Sequence, residues 1–477
     1  MNATPRWTPK TRATASLALL LLLSSCVHAP PAPSDACVAL FAARDHVSAA
    51  THDAQYRPLA GFYGLRSDRV LAALGPTAQS PEQRRLWLQR LAERDAEASA
   101  IELGNLPPRT QQDWNSPARQ SQLHSCRTAQ RERLLHNQHD FSNAVAAAQV
   151  PDDYRDWART LGLYPLFKPI YQRSIAAWQA EAAKAQEPVD NANWLAYQPL
   201  PDAAAFNPAL QEDALGLPQP DPQQRAALFA HHAPWLRIAQ RSPADRLGSP
   251  FFLDDGQRGF DQQAPQLFQH IGWSKLNGHW RLQLIYQFWF SQRPKAHALD
   301  IYGGELDGLL WRVTLDEHGR ALLYDSIHPC GCWQNFFLPA DSPLKFLYEF
   351  RRQPADLEAR TARRLESTGD RAPTLWLSAS EHSVLWVDGR RPQYPAIGYQ
   401  QRELSSLRQL RHPQGQRSLY ASDGLVPGSE RLERWLLWPS GVVSPGAMRQ
   451  WGRHATAFSG RAQFDDPALL DRYFSAP

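Results

Sequence analysis

"GLLWRVTLDEHGRALLYDSIH", Gly308 to His328, holds two apolar runs on either side of Asp316-Glu317-His318-Gly319. Short β-prone runs joined by a polar, glycine-ended turn predict a β-hairpin. Upstream, "WRLQLIYQFWFSQ" (Trp280 to Gln292) is a longer run of the same kind. Downstream, "TLWLSAS" and "SVLWVDG" read as two further short strands. From about Leu228 onward the chain therefore reads as sheet.

The earlier chain has a different period. "SPEQRRLWLQRLAERDAEASA" opens with Ser80 as N-cap, Pro81 at the first helical position and Gln83 completing a capping-box pattern. Leu88, Leu91 and Ala92, with Trp87 nearby, form an apolar stripe at helical spacing. Ser116-Pro117 opens a similar segment around Cys126, and further helices follow, with breaks expected at Pro165 and Pro169. The predicted fold class is α+β, a helical N-terminal domain followed by a mixed, sheet-based C-terminal domain. The boundaries are a helical domain over 37–187, a linker-like connection rich in Pro, Asn, Asp and Gln over 188–225, and a β-rich mixed domain over 226–477.

The predicted second strand delivers His328 into "HPCGCW", a histidine and two cysteines within five positions. In extended chain, alternate residues share a face, so His328, Cys330 and Cys332 would point the same way. Pro329 biases His328 toward extended backbone, and Gly331 lets the chain bend between the sulfurs. Three readings stay open. The thiolates and imidazole supply three ligands of a tetrahedral zinc-like site, structural or hydrolytic. Alternatively Cys330 and Cys332 close a small, strained and easily reduced disulfide ring. The plainest reading is two buried thiols beside a core histidine. A fourth metal ligand would be His297 or His382, each more ordinary as a surface or hydrogen-bonding residue. Glu305 or Asp307 would then act as base, although a solvated turn is the simpler reading of both.

The chain of 477 residues carries 51 Lys and Arg against 47 Asp and Glu, too slight an excess for an electrostatic nucleic-acid binder. Its 17 tryptophans suit a large core or a partner-binding surface, here that of another envelope protein. No HExxH, GxSxG, GxxxxGK[ST], strand-linked GxGxxG, CxxC or CxxCH pattern occurs.

The N-terminus gives the address. Arg6, Lys10 and Arg12 precede the apolar run Leu17 to Leu23, which ends in "LSSC", Leu23 to Cys26. This resembles the lipobox of bacterial lipoprotein signal peptides. With the "IYGGELDGLLWRVTL…YDSIHPCGC" arrangement, it gives a resemblance to Gram-negative bacterial lipoproteins, which implies an anchor and no particular activity. The resemblance implies cleavage of residues 1–26 before Cys26, diacylglycerol on its sulfur, and a further acyl chain such as palmitate on the new amino terminus. Two or more chains hold a protein on a membrane lastingly. Val27 stands where an aspartate would favour the inner membrane, so the outer membrane, facing the periplasm, is expected. Residues 27–36 read as a proline-rich tether. With Cys26 lipidated, four cysteines remain in an oxidising compartment, and the simplest pairing joins Cys37 to Cys126.

Overall fold

The computed structural model describes Met1 and residues 35–184, 187–188, 193–200, 210–347, 359–366, 372–392 and 394–475. Apart from Met1, the expected signal segment over 1–26, with Cys26, and most of the stretch 27–36 read as a tether lie outside the described residues. The α+β class is as expected: helices fill the N-terminal region and a mixed sheet the C-terminal part.

The N-terminal region contains α1 (Asp35–Val47), α2 (Arg69–Leu74), α3 (Pro81–Gly104), α4 (Pro108–Trp114), α5 (Pro117–His136), α6 (Gln138–Ala147), α7 (Asp156–Leu161) and α8 (Tyr164–Ala183). The capping box that opens α3 is present. Ser80 Oγ accepts from Gln83 N–H, and Gln83 Oε1 accepts from Ser80 N–H, both at 3.1 Å. Trp87, Leu88 and Leu91 on its buried face pack with Leu134 and Phe141. Helix α8 runs through both prolines expected to break it. Pro165 sits in the first turn, where no backbone donor is needed, and Pro169 removes one hydrogen bond from a helix long enough to survive it.

A buried ionic cluster replaces part of the core. Arg44 and Arg127 donate to Asp95 at 2.8 and 2.7 Å, and Arg66 grips both oxygens of Glu102 at 2.7 Å. Burial alone would raise Asp95, but Arg44, Arg127 and Arg66 hold it down at about 2. A Cys37–Cys126 disulfide, with Cα atoms 5.6 Å apart, ties α1 to α5 as the sequence predicts.

Among the described residues, the C-terminal part is built on one sheet of thirteen strands. They are β1 (Trp194–Pro199), β2 (Trp235–Ala239), β3 (Leu247–Phe252), β4 (Arg258–Asp261), β5 (Gln266–Leu276), β6 (His279–Arg293), β7 (Gly304–Leu315), β8 (Ala321–Ile327), β9 (Gln334–Leu338), β10 (Ala359–Arg364), β11 (Thr374–Leu377), β12 (Val384–Asp388) and β13 (Ile397–Glu403). The order is β10-β9-β8-β7-β6-β5-β13-β1-β2-β11-β12, with β3 on β6 and β4 on β3. Strands β5 to β9 form an antiparallel meander, and four pairs are parallel: β9 with β10, β13 with β5, β13 with β1, and β2 with β11.

The connection expected over 188–225 contains β1, which lies inside the sheet between β13 and β2. Ala196 and Tyr197 are buried there, and the Tyr197 hydroxyl accepts from Leu247 N–H at 3.1 Å. Pro-, Asn- and Asp-rich flanks hide a six-residue strand that its neighbours complete.

Strand β6 is buried on both faces, which explains its unbroken apolar run. Leu282, Leu284, Tyr286, Phe288 and Phe290 enter one core, whereas Ile285 and Trp289 enter a second on the opposite side. Each such side chain contributes roughly 1.5–3 kcal/mol of burial. The register of β7 with β8 places Arg312 opposite Asp325, where they form a buried two-pronged ion pair at 2.8 and 2.5 Å. Trp280 joins the helical core through Leu215 and Leu217, so the two regions share packing. No helix among the described residues is long and apolar enough to cross a membrane.

Candidate thiol and carboxylate site

At the end of β8 the chain turns tightly. His328 N–H donates to Cys332 C=O at 2.9 Å, and Gly331 N–H donates to His328 C=O at 2.8 Å. Arg449 pins the turn from outside, its N–H donating to Pro329 C=O and its Nε to Cys330 C=O, both at 3.0 Å. Gly331 has φ +91°, and a Cβ there would come 2.1 Å from the carbonyl oxygen of Ala455. Only glycine fits both the backbone conformation and the contact.

Cys330 is buried, Cys332 is half-buried, and both are free thiols. Cys332 N–H points at Cys330 Sγ, 3.4 Å away. A hydrogen bond with Cys330, then burial, pushes the Cys332 thiol well above its usual range. Cys332 and Trp333 line a pocket of about 120 Å³ with Trp178, Tyr302, Phe458 and Glu433. The Trp333 ring centroid lies 4.9 Å from that of Trp178 and 6.1 Å from that of Tyr302. Burial pushes Glu433 up to about 7, against the opposing pull of Arg293, Arg431 and Arg449. These arginines are engaged elsewhere: Arg293 donates to Glu381, Arg431 to Glu305 C=O and Leu306 C=O, and Arg449 to Cys330 C=O.

His328 reaches Asp307. Its Nδ1 lies 3.3 Å from Asp307 Oδ1, and its buried Nε2 makes no hydrogen bond. Asp307 also accepts from His382 Nδ1 at 2.8 Å, and His382 Nε2 stands 3.3 Å from Asp245 Oδ1. Asp245 further accepts backbone N–H groups of Arg241, Ser242 and Ser380 at 2.6–2.8 Å. The result is a buried chain, Asp245–His382–Asp307–His328, with the His382 ring stacked 3.8 Å from Phe290. Burial would lower His382, but Asp245 and Asp307 outweigh it and raise its pKa. Burial would raise Asp307, but hydrogen bonds from His328 and His382 hold it far below the carboxylate range. Left-handed backbone gathers here: Leu306 (φ +52°), Trp333 (+64°), Ser380 (+66°) and His382 (+51°). Such conformations persist only where surrounding packing over-determines them, and they concentrate at functional sites.

The sequence candidates are thus divided. His328 and His382 meet at Asp307, Cys330 and Cys332 meet each other, and His297 stands exposed on the loop before β7 near Asp300. Among the described residues no group of three or more His, Cys, Asp or Glu side chains is placed to hold a metal ion. His328, Cys330, Cys332, His297 and His382 are thus not gathered into one group of donors among the described residues. In the carboxylate–imidazole chain the donor atoms face one another in pairs rather than a common centre. Asp307, read from sequence as a solvated turn, is 2 % exposed. Glu433 and Asp245 escaped the sequence reading. Glu433 lies in the mixed-charge "SERLERW", which reads as a solvated face. Ser242-Pro243-Ala244-Asp245 carries a visible capping pattern, but nothing local names His382 as a partner. The chain matches no protein-family profile, no curated protein and no solved structure.

Proposed function

We propose that this chain is a lipid-anchored protein of the bacterial cell envelope, on the outer membrane and facing the periplasm, in which Cys330 and Cys332 act as a thiol–disulfide couple. The lipobox at Cys26 supports the anchor, and the Cys37–Cys126 disulfide is a bond of oxidising compartments. One observation carries the redox reading: two free thiols share one tight turn, the Cys332 backbone N–H lies on Cys330 Sγ, and Cys332 lines an aromatic pocket.

An i,i+2 disulfide closes a small strained ring, so its oxidised form gives up the bond readily. In that direction a substrate thiolate attacks Cys332 Sγ, the Cys330–Cys332 bond breaks, and Cys330 leaves and takes up a proton. A second substrate thiol then attacks the mixed disulfide and releases Cys332. Two substrate thiols become one disulfide, two electrons enter the couple, and a low-molecular-weight disulfide reoxidises it. Glu433, with a pKa of about 7 beside Cys332, is suited to pass the proton near neutral pH.

The test is thiol counting by alkylation and mass spectrometry after equilibration with glutathione buffers. Two groups are expected to add at reducing poise and none at oxidising poise, with Cys37–Cys126 intact throughout. Thiols that stay alkylatable in excess glutathione disulfide would overturn the redox reading. Elemental analysis runs alongside: about one zinc per chain, lost in Cys330→Ser, would restore the metal reading. Metabolic labelling with a palmitate analogue, abolished by Cys26→Ser, tests the anchor separately.

A further inference from the structure

The helices α7 and α8 and the segment after Glu433 leave large apolar side chains in solvent. Trp157, Leu161, Leu166, Ile170, Trp435 and Leu436 are each between 56 and 71 % exposed. Single exposed apolar residues are ordinary, but these are neighbours. Trp157 and Leu161 are four apart on α7, and Leu166 and Ile170 four apart on α8, so each pair shares a helix face. The segment bearing Trp435 and Leu436 packs against both helices. Arg159 Nε donates to Ser440 C=O at 2.6 Å, and the Tyr171 hydroxyl lies 3.5 Å from Leu436 C=O.

The surroundings of this face are basic. Arg155 and Arg173 are exposed, and Lys168 and Arg434 half-exposed, around it. Asp156 is paired with Arg461, and Glu433 is turned inward to the pocket. Apolar and tryptophan side chains rimmed by Arg and Lys suit the boundary between acyl chains and anionic headgroups. A protein partner covering so apolar a face would need no excess of positive charge around it.

We propose that this face is a second membrane contact, seating the folded body on an anionic lipid bilayer independently of the lipid on Cys26. The apolar side chains enter the acyl boundary, and the arginines meet phosphate headgroups. Helix α8 also supplies Trp178 to the pocket that holds Cys332, so the docked face and the pocket share one wall.

The experiment is flotation of the full chain carrying Cys26→Ser with vesicles of phosphatidylglycerol and phosphatidylethanolamine. The comparison chain additionally carries Leu166→Ser and Trp435→Ser, and everything before Asp35 is identical in the two. The first chain is expected to float, and the second to bind at least about tenfold more weakly with unchanged circular dichroism. Should that variant misfold, Arg155→Glu with Arg173→Glu replaces it, and weaker binding is again expected. Binding of the first chain should also fall when phosphatidylcholine replaces the anionic lipid or when salt is raised. Equal flotation of both chains, or none by the first, would overturn the proposal. So would a dimer that the apolar variant abolishes without any vesicle binding, because the face would then join two copies.

Discussion

Asp307 offers one carboxylate oxygen to each of two histidines, Oδ1 to His328 and Oδ2 to His382. It thereby fastens the end of β8 to the turn before β12 from its own place on β7. One residue links three segments remote in sequence, all of them buried.

Replacing Asp307 by Asn removes the charge that both imidazoles face. Breaking a buried charge pair from one side costs about 3–5 kcal/mol, and because Asp245 still faces His382 the lower end of that range is expected. Urea denaturation followed by tryptophan fluorescence should show a loss of that order. A loss below about 1 kcal/mol would mean that Asp307 does not hold the segments together.

His382 gives a pH signature. Its folded pKa lies above the ordinary value, so its stabilising contribution is complete below about pH 6.5 and is lost as pH rises through the folded value. The stability advantage of wild type over His382→Gln is therefore expected to be larger at pH 6 than at pH 9. A difference that grows with pH would contradict the assignment.

Glu433 shifts in the same sense for a different reason. Burial raises it to about 7, so the folded state binds its proton more tightly than the unfolded chain does. Stability then declines as pH rises from about 4.5 to about 7, by roughly 3 kcal/mol at 1.36 kcal/mol per unit. Glu433→Gln keeps the shape without the charge. It is expected to match wild type near pH 4 and to exceed it at pH 8, as read from denaturation midpoints.

Gly331→Ala places a methyl against the Ala455 carbonyl in a left-handed backbone. A destabilisation of about 2 kcal/mol or more is expected, from backbone strain and overlap together. The turn would also open, so alkylation of Cys332 should quicken. An unchanged rate would show that the turn does not govern access to the thiol.

Local signals were legible where short-range chemistry decides. Ser80, Pro81 and Gln83 announce the start of α3 within four residues, and Asp316 to Gly319 announces the turn between β7 and β8. The disulfide is the simplest pairing of the four cysteines from Cys37 onward. The site was only half legible. The spacing of His328, Cys330 and Cys332 suggested convergence, but the turn directs the imidazole to Asp307 and leaves the sulfurs to each other. Asp307 and His382 are 75 positions apart, and no local pattern pairs them. β1 shows the same limit, because its strand character comes from parallel and antiparallel neighbours rather than from its own composition.

The disulfide between α1 and α5 has a mechanical consequence. Helix α1 buries only Phe41 and Arg44, so a load arriving from the chain before Asp35 would peel it away one turn at a time. The bond at Cys37 intercepts that load in the helix's first turn and passes it to α5, whose Leu123, Cys126 and Leu134 are seated in the interior. Tension applied ahead of Asp35 is thus met in shear by a seated helix, and α1 becomes a washer between that pull and the body.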